Sequence, residues 1–225
     1  MPPRTAVILP CLGLQPSLDR LLSTIPADLE VFVVDDGSPT PLSAARGTLL
    51  RHPANRGYGA AQKTGYAAAI AAGAERLVLL HGDGQYDVAA TIALAVALDG
   101  AAAAVGTRFD PALPQRVPAW RSLGIRGLTA AANLRFGQRF SDLHNGARAF
   151  RAAALTALDF SRFSDDYRFD HQVLCALLAQ GSRVVQRPVP MRYGPGVLSI
   201  SPQRALRYGL GCIADLVRPP VTEKS

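Results

Sequence analysis

The chain has 225 residues, 48% hydrophobic and 18% charged, enough to bury a sizeable core within one domain, which excludes a disordered polar segment. Its formal charge of +7 is lopsided: residues 1–109 carry 8 Lys and Arg against 9 Asp and Glu, whereas residues 110–225 carry 16 against 8. A basic second half suits an anionic partner, but there is no RNA-binding aromatic signature, zinc-finger spacing or dense Lys/Arg run, which argues against nucleic acid.

In chain order, TAVILP (residues 5–10), EVFVVDDG (30–37), RLVLLHGDG (76–84) and AAAVGTRF (102–109) are short apolar runs bounded by Gly, Pro or Asp. Runs of this kind predict strands buried on both faces, as in a parallel sheet. Helical patterns alternate with them: SLDRLLSTI from Ser17, GYGAAQKTGYAAAIAAG from Gly57 and VAATIALAVAL from Val88. The alternation predicts a doubly wound α/β sheet. The amino-terminal run is broken by Pro10 and soon followed by VVDDGS, so no signal peptide is expected. Residues 88–107 have the length of a membrane span with one charge. They are mainly alanine, however, with Asp99-Gly100 near the middle, where a lone Asp costs about 2.5–3.5 kcal/mol. They read as helix, turn and strand.

Beyond residue 110 the texture changes. DPALPQRVP is a Pro-rich loop, and AWRSLGIRGLTAAANLRF from Ala119 is an amphipathic helix bearing Arg121, Arg126 and Arg135. A helix around DHQVLCALLAQG, a strand RVVQRPVPMRY whose prolines place it at an edge, and a last helix over 202–217 complete the chain. There are no internal repeats.

Three carboxylates, Asp35, Asp36 and Asp83, fall at the carboxyl ends of predicted strands, where open α/β sheets bind ligands. Rival motifs fail. GYGAAQKT (57–64) nearly spells a phosphate loop, but Gln62 replaces its second glycine and RHPANR before it is a poor strand. LPCLGLQPS stands where a dinucleotide fold needs G-x-G-x-x-G. His52, His144 and His171 form no metal cluster by spacing, and neither a Ser-His-Asp arrangement nor a G-x-S-x-G elbow is present. Cys11, Cys175 and Cys212 are odd in number and far apart, which suits reduced structural thiols.

Six phrases in order, VVDDGSPT, ANRGYGAAQKTGYAAA, LLHGDGQYD, VGTRF, SDLHNGARAFRAAAL and DDYRFDHQVLCALLAQGSRV, resemble the family 2 glycosyltransferases, especially the polyprenyl-phosphate (dolichyl-phosphate) mannose or glucose synthases. The resemblance spans residues 5–200. It implies one GT-A domain over 1–225, with a nucleotide-sugar half at 1–109 and an acceptor half at 110–225. It implies an inverting enzyme at the cytoplasmic face of a membrane, moving one hexose from a GDP- or UDP-sugar to a polyprenyl phosphate. No Q-x-x-R-W phrase of the polymerising relatives is present.

By the same resemblance, Pro10, Asp35, Asp36, Gly57 and Asp83 line the nucleotide-sugar site, with Asp35 and Asp36 meeting base and ribose. Asp83 matches the second acid of the metal-binding D-x-D, Gln85 the polar residue after it, and His81 stands in place of the first acid. Together they imply a bound Mn²⁺ or Mg²⁺, and the imidazole shifts the expectation toward Mn²⁺. A cation there suits the charge that develops on a departing nucleoside diphosphate. Arg108 and Arg148 fall where the family places guanidinium groups near substrate phosphates, which their planar forks match.

A lipid phosphate can attack without losing a proton, whereas a hydroxyl acceptor needs a base, for which Asp142, Asp165 and Asp166 are the candidates. Helix capping is the competing role for Asp165 and Asp166. The helix from Ala119, with Trp120, suits either an anionic leaflet or packing on the sheet. The family's Asn-Glu pair after strand one is missing, QRPVP replaces Glu-x-Pro, and YGPGVLSIS keeps Ser199 without the usual basic residues. Two rival readings remain: transfer to a soluble or glycan hydroxyl with Asp142 as base, and a catalytically weak binding homologue.

Overall fold

A computed structural model describes residues 2–113, 117–192 and 202–217; Ser199 lies outside the described residues. In the first strand, β1 (Thr5–Cys11), Ala6 and Ile8 enter one apolar cluster with Tyr66, Phe150 and Phe169. Val7 and Leu9 enter a second cluster with Leu18, Leu21 and Leu98. Strand residues alternate between faces, so a run with no polar member needs cover on both sides. The cover comes from α1 (Gln15–Thr24) on one face and α2 (Tyr58–Ala71) on the other.

The remaining elements are β2 (Glu30–Asp35), β3 (Thr48–Arg51), β4 (Arg76–Leu79), α3 (Val88–Ala93), β5 (Ala103–Thr107), α4 (Ala119–Phe136), β6 (Arg148–Arg151), α5 (Ala152–Thr156), α6 (Phe169–Ala179), β7 (Val184–Pro188) and α7 (Pro202–Val217). The seven strands form one sheet in the order β3-β2-β1-β4-β6-β5-β7. Only β6 runs against its neighbours β4 and β5; the other pairings are parallel. This is the predicted α/β architecture, with β7 at an edge.

Two strands escape the apolar-run pattern. β3 is a mostly exposed edge strand, TLLR, paired only with β2. β6 lies inside the GARAF phrase, and its insertion between β4 and β5 puts both halves of the chain into one sheet. The helix expected from Val88 stops at Ala93, capped at its start by the Asp87 carboxylate accepting from the Ala90 N–H, and a 3₁₀ turn over Val96–Leu98 follows. No helix among the described residues is long and apolar enough to cross a membrane.

The topology fixes where a ligand belongs. From β1 the chain moves outward through β2 to β3, then returns to place β4 on the other side of β1. That reversal opens a crevice at the carboxyl ends of β1 and β4. Asp83 lies in the loop that leaves β4.

Candidate active site

The loop after β4 begins as an extension of the sheet, with the Leu80 N–H donating to the Ile8 carbonyl at 3.0 Å. It then turns sharply: the Gly84 N–H donates to the His81 carbonyl at 3.3 Å, and Gly84 takes a φ of 70°, which a side chain disfavours. At the tip, Asp83 Oδ1 accepts from the Gln85 N–H at 3.0 Å. Its Oδ2 has no hydrogen-bond partner and the carboxylate forms no ion pair among the described residues. Asp83 is half-buried beside a cleft of about 570 Å³ that Ser17, Arg20, Tyr86 and Arg192 also line.

Behind Asp83 stands His81. Its Nε2 is 2.6 Å from the Tyr58 hydroxyl, and its ring lies 5.2 Å from that of Tyr58 and 5.0 Å from that of Tyr86. Burial pushes the imidazole below its ordinary pKa, against the opposing charges of Asp83 and Asp170. The Tyr58 contact occupies Nε2, so His81 braces the loop rather than presenting that nitrogen to an ion. Gln85 is buried, and its carbonyl accepts from the Arg192 N–H at 2.8 Å.

The wall behind His81 is tight. A Cβ on Gly146 would overlap the His81 ring and come within 3.0 Å of the Tyr86 hydroxyl, which already accepts from the Gly146 N–H. Gly146→Ala is therefore expected to displace His81 from Tyr58, costing about 1–3 kcal/mol by overpacking. Misplacing the neighbouring loop by about 1 Å should lower kcat/KM about 100-fold. Chemical denaturation and steady-state kinetics on the variant check both.

The other carboxylates are not open to a ligand. Asp35, fully buried, accepts from the Ser38 N–H at 2.9 Å and the Leu42 N–H at 3.1 Å, and pairs with Arg51. Asp36 accepts from the Arg56 and Gly57 N–H groups, both at 2.9 Å, and its Oδ1 is 2.7 Å from His52 Nδ1. Both carboxylates, expected to meet base and ribose, here hold the loops at 38–42 and 52–57 in place. Gly57 enters α2 with a φ of 108°, where a Cβ would overlap the Asp165 carbonyl. Pro10 is buried within β1, in register with Val34.

Burial alone would raise the Asp35 carboxyl, but the Ser38 and Leu42 hydrogen bonds and the Arg51 charge outweigh it and hold its pKa below the ordinary 3.8. A depressed folded pKa contributes stability that is present above the unfolded value and is lost as pH falls through the folded one. Wild type should therefore exceed Asp35→Asn in unfolding free energy by about 1–3 kcal/mol at pH 7. The gap should close in strongly acidic buffer, as urea titrations across pH would record.

On the acceptor side, Arg108 leaves β5 and donates from Nε to Asp142 Oδ2 at 2.7 Å and from Nη2 to the His144 carbonyl at 2.6 Å. Asp142 is 0% exposed and also accepts from the His144 N–H at 3.0 Å. As a base, Asp142 would have to meet an acceptor; here it is buried in the ion pair with Arg108. Arg148 is 1% exposed and donates to the carbonyls of Asn145, Asp170 and Leu143 at 2.8–3.0 Å. Arg148, expected near a substrate phosphate, here ties the 143–145 loop to α6.

Asp165 is exposed, accepts from Lys63 Nζ at 2.8 Å, and its carbonyl accepts from the Gly59 N–H at 2.7 Å. Asp166 accepts from the Arg168 N–H at 2.7 Å, the local turn role. His144 and His171, unrelated by spacing, are stacked with ring centroids 5.2 Å apart, which corrects the reading of isolated histidines. The three cysteines are free and buried. Sequence reading missed Tyr86, Arg20 and Arg192 beside Asp83 in the cleft and Tyr58 against His81; the tyrosines sit in the GYG and QYD phrases, where the glycines and acids draw attention.

A family model described as glycosyl transferase family 2 matches residues 7–158. An uncharacterized protein of Methanocaldococcus jannaschii is 27% identical over 171 residues, covering 72% of this chain and 70% of that protein. Crystal structures of glucosyl-3-phosphoglycerate synthase from Mycobacterium tuberculosis share the fold. One, in complex with Mn²⁺, UDP and glucosyl-3-phosphoglycerate, has a TM-score of 0.70 at 15% identity. Another, in complex with phosphoglyceric acid, has a TM-score of 0.72 at 17% identity. Each covers 100% of this chain, which spans 82% of theirs.

Proposed function

Because the chain belongs to glycosyl transferase family 2, we propose that it moves one hexose, with inversion, from a nucleoside diphosphate sugar bound beside Asp83 to a polyprenyl phosphate. The observation that carries this reading is the Asp83 carboxylate, placed at the topological switch of the sheet with one uncommitted oxygen facing a cleft. A hard carboxylate oxygen suits Mn²⁺ or Mg²⁺, and the donor's diphosphate would complete the ligand set. A cation bound there supplies Lewis-acid stabilisation of the diphosphate as it leaves. Mn²⁺ accompanies UDP in the glucosyl-3-phosphoglycerate synthase complex of the same fold.

The chain's own residues do the rest. Arg20 and Arg192 line the cleft and bring positive charge to the place where two phosphates would lie. Tyr58 and His81 hold the Asp83 loop against the sheet. Asp35 and Asp36 fix the neighbouring loops.

The lipid-phosphate acceptor is supported by what Asp142 is doing. A phosphate monoester attacks as an anion and needs no base, and Asp142 is withdrawn into an ion pair with Arg108. Exposed Trp120, Leu123 and Leu134 on α4, with Leu206 and Leu210 on α7, accompany Arg121, Arg126, Arg204 and Arg207 on the same helices. Such a face suits an anionic leaflet, with peripheral attachment at the cytoplasmic side. A second reading, transfer to a soluble phosphorylated hydroxyl compound, is favoured by the phosphoglyceric acid complex of the same fold.

Incubation of the enzyme and Mn²⁺ with radiolabelled GDP- and UDP-sugars, polyprenyl phosphate and 3-phosphoglycerate separates the two. Label entering the organic phase supports the lipid acceptor; label in a new anionic product in the aqueous phase supports the soluble one. Label in neither, with donor left intact, rejects the transferase reading for these substrates.

A further inference from the structure

Away from Asp83, α6 and α7 meet through residues four apart on each helix, spacing that sets both members of a pair on one face. On α6 these are His171 and Cys175, and on α7 Tyr208 and Cys212. His144, from the loop before β6, completes the group. One ligand atom each from His144, His171 and Cys212 lies within 4.8 Å of the others. His144 Nε2 is buried with no hydrogen-bond partner among the described residues. An orphaned imidazole nitrogen inside a protein is costly unless something binds it.

We propose that His144, His171 and Cys212 form a structural site for a soft divalent cation, of which Zn²⁺ is the best match, separate from the hard-oxygen site at Asp83. Two imidazoles and a thiolate are the donors that tetrahedral zinc prefers. Bonds of about 2.0–2.3 Å place tetrahedral ligands about 3.3–3.8 Å apart, so a small closure of side chains completes the site. The two rings are within 18° of parallel, so one must turn, and the contact given up is the 3.3 Å approach of His171 Nε2 to the Cys212 carbonyl.

The surroundings are those of a ligand set. His144 Nδ1 is 2.8 Å from the Tyr208 hydroxyl; with Nδ1–H donating to that oxygen, Nε2 carries the lone pair. Cys175 Sγ lies 3.3 Å from His171 Nε2 but outside the ligand group, so the thiolate of the site is that of Cys212 alone. Burial lowers the pKa of both imidazoles. Burial pushes the Cys212 thiol up to about 12, so binding releases its proton to solvent as the metal–sulfur bond forms. A bound ion would staple α7 to α6 and to the loop that carries Asp142 and Gly146.

The test is a Co²⁺ titration of the full chain after chelator dialysis, followed by Zn²⁺ competition. One equivalent of Co²⁺ should give a thiolate charge-transfer band and the visible bands of a tetrahedral site, and Zn²⁺ should abolish them. Cys212→Ser should remove the charge-transfer band and His144→Gln should weaken binding about 100-fold or more, while Asp83→Ala should leave the spectrum unchanged. Absence of the bands, their retention in Cys212→Ser, or their loss in Asp83→Ala overturns the proposal. Should Cys212→Ser fail to fold, Tyr208→Phe decides the matter: affinity for Co²⁺ about 10–100-fold weaker supports the site, and unchanged affinity overturns it.

Discussion

Replacing Asp83 by alanine should lower kcat/KM by about 10²–10³-fold or more while leaving the protein folded, because the lost carboxylate acts on charge that develops only in the transition state. In energy this is about 3–4 kcal/mol of transition-state stabilisation. The stability change should be small, about 1 kcal/mol, since the side chain makes only the local bond to the Gln85 N–H. Parallel kinetics and thermal melts record the two numbers. A variant that lost activity and stability together would mean that Asp83 serves only to shape the turn.

Asp142→Ala should do the opposite. Removing this carboxylate breaks the ion pair it makes with the Arg108 guanidinium, which is 6% exposed. Breaking one side of a buried pair costs about 3–5 kcal/mol, and for a chain of this length each kcal/mol moves Tm by about 2–4 °C. Asp142→Asn keeps the shape and some of the hydrogen bonds, so a smaller loss of stability and retained turnover are expected. A general base would give the reverse pattern, with Asp142→Asn folding normally and kcat falling about 10²–10⁴-fold. Urea unfolding and turnover measured on both variants distinguish a carboxylate that holds the acceptor wall from one that takes a proton.

The contrast between these residues shows what the sequence could convey. β1, β2, β4 and β5 were legible because each is buried on both faces and therefore apolar without interruption. β3 was not, because an exposed edge strand of four residues needs no such run, and β6 was read as an arginine motif because its apolar members are few. Asp83 was legible through its setting: a carboxylate between glycines at the end of a buried strand.

Asp35, Asp36 and Asp142 look equally promising in one dimension. What distinguishes them from Asp83 is a partner far along the chain: Arg51 for Asp35, the Arg56 and Gly57 amides for Asp36, and Arg108, 34 residues upstream, for Asp142. No local pattern states which carboxylate will find its cation. The same holds for His144, His171 and Cys212, whose spacing follows no metal motif because three separate elements deliver them. The Tyr58–His81 contact is likewise long-range, joining the start of α2 to the end of β4.

Calorimetric titration of a nucleoside diphosphate sugar, with and without Mn²⁺, into wild type and Asp83→Ala tests the central claim most directly. Mn²⁺-dependent binding to wild type and its loss in the variant are the predicted results. Donor binding of equal strength in both proteins, or binding indifferent to the cation, would contradict that claim.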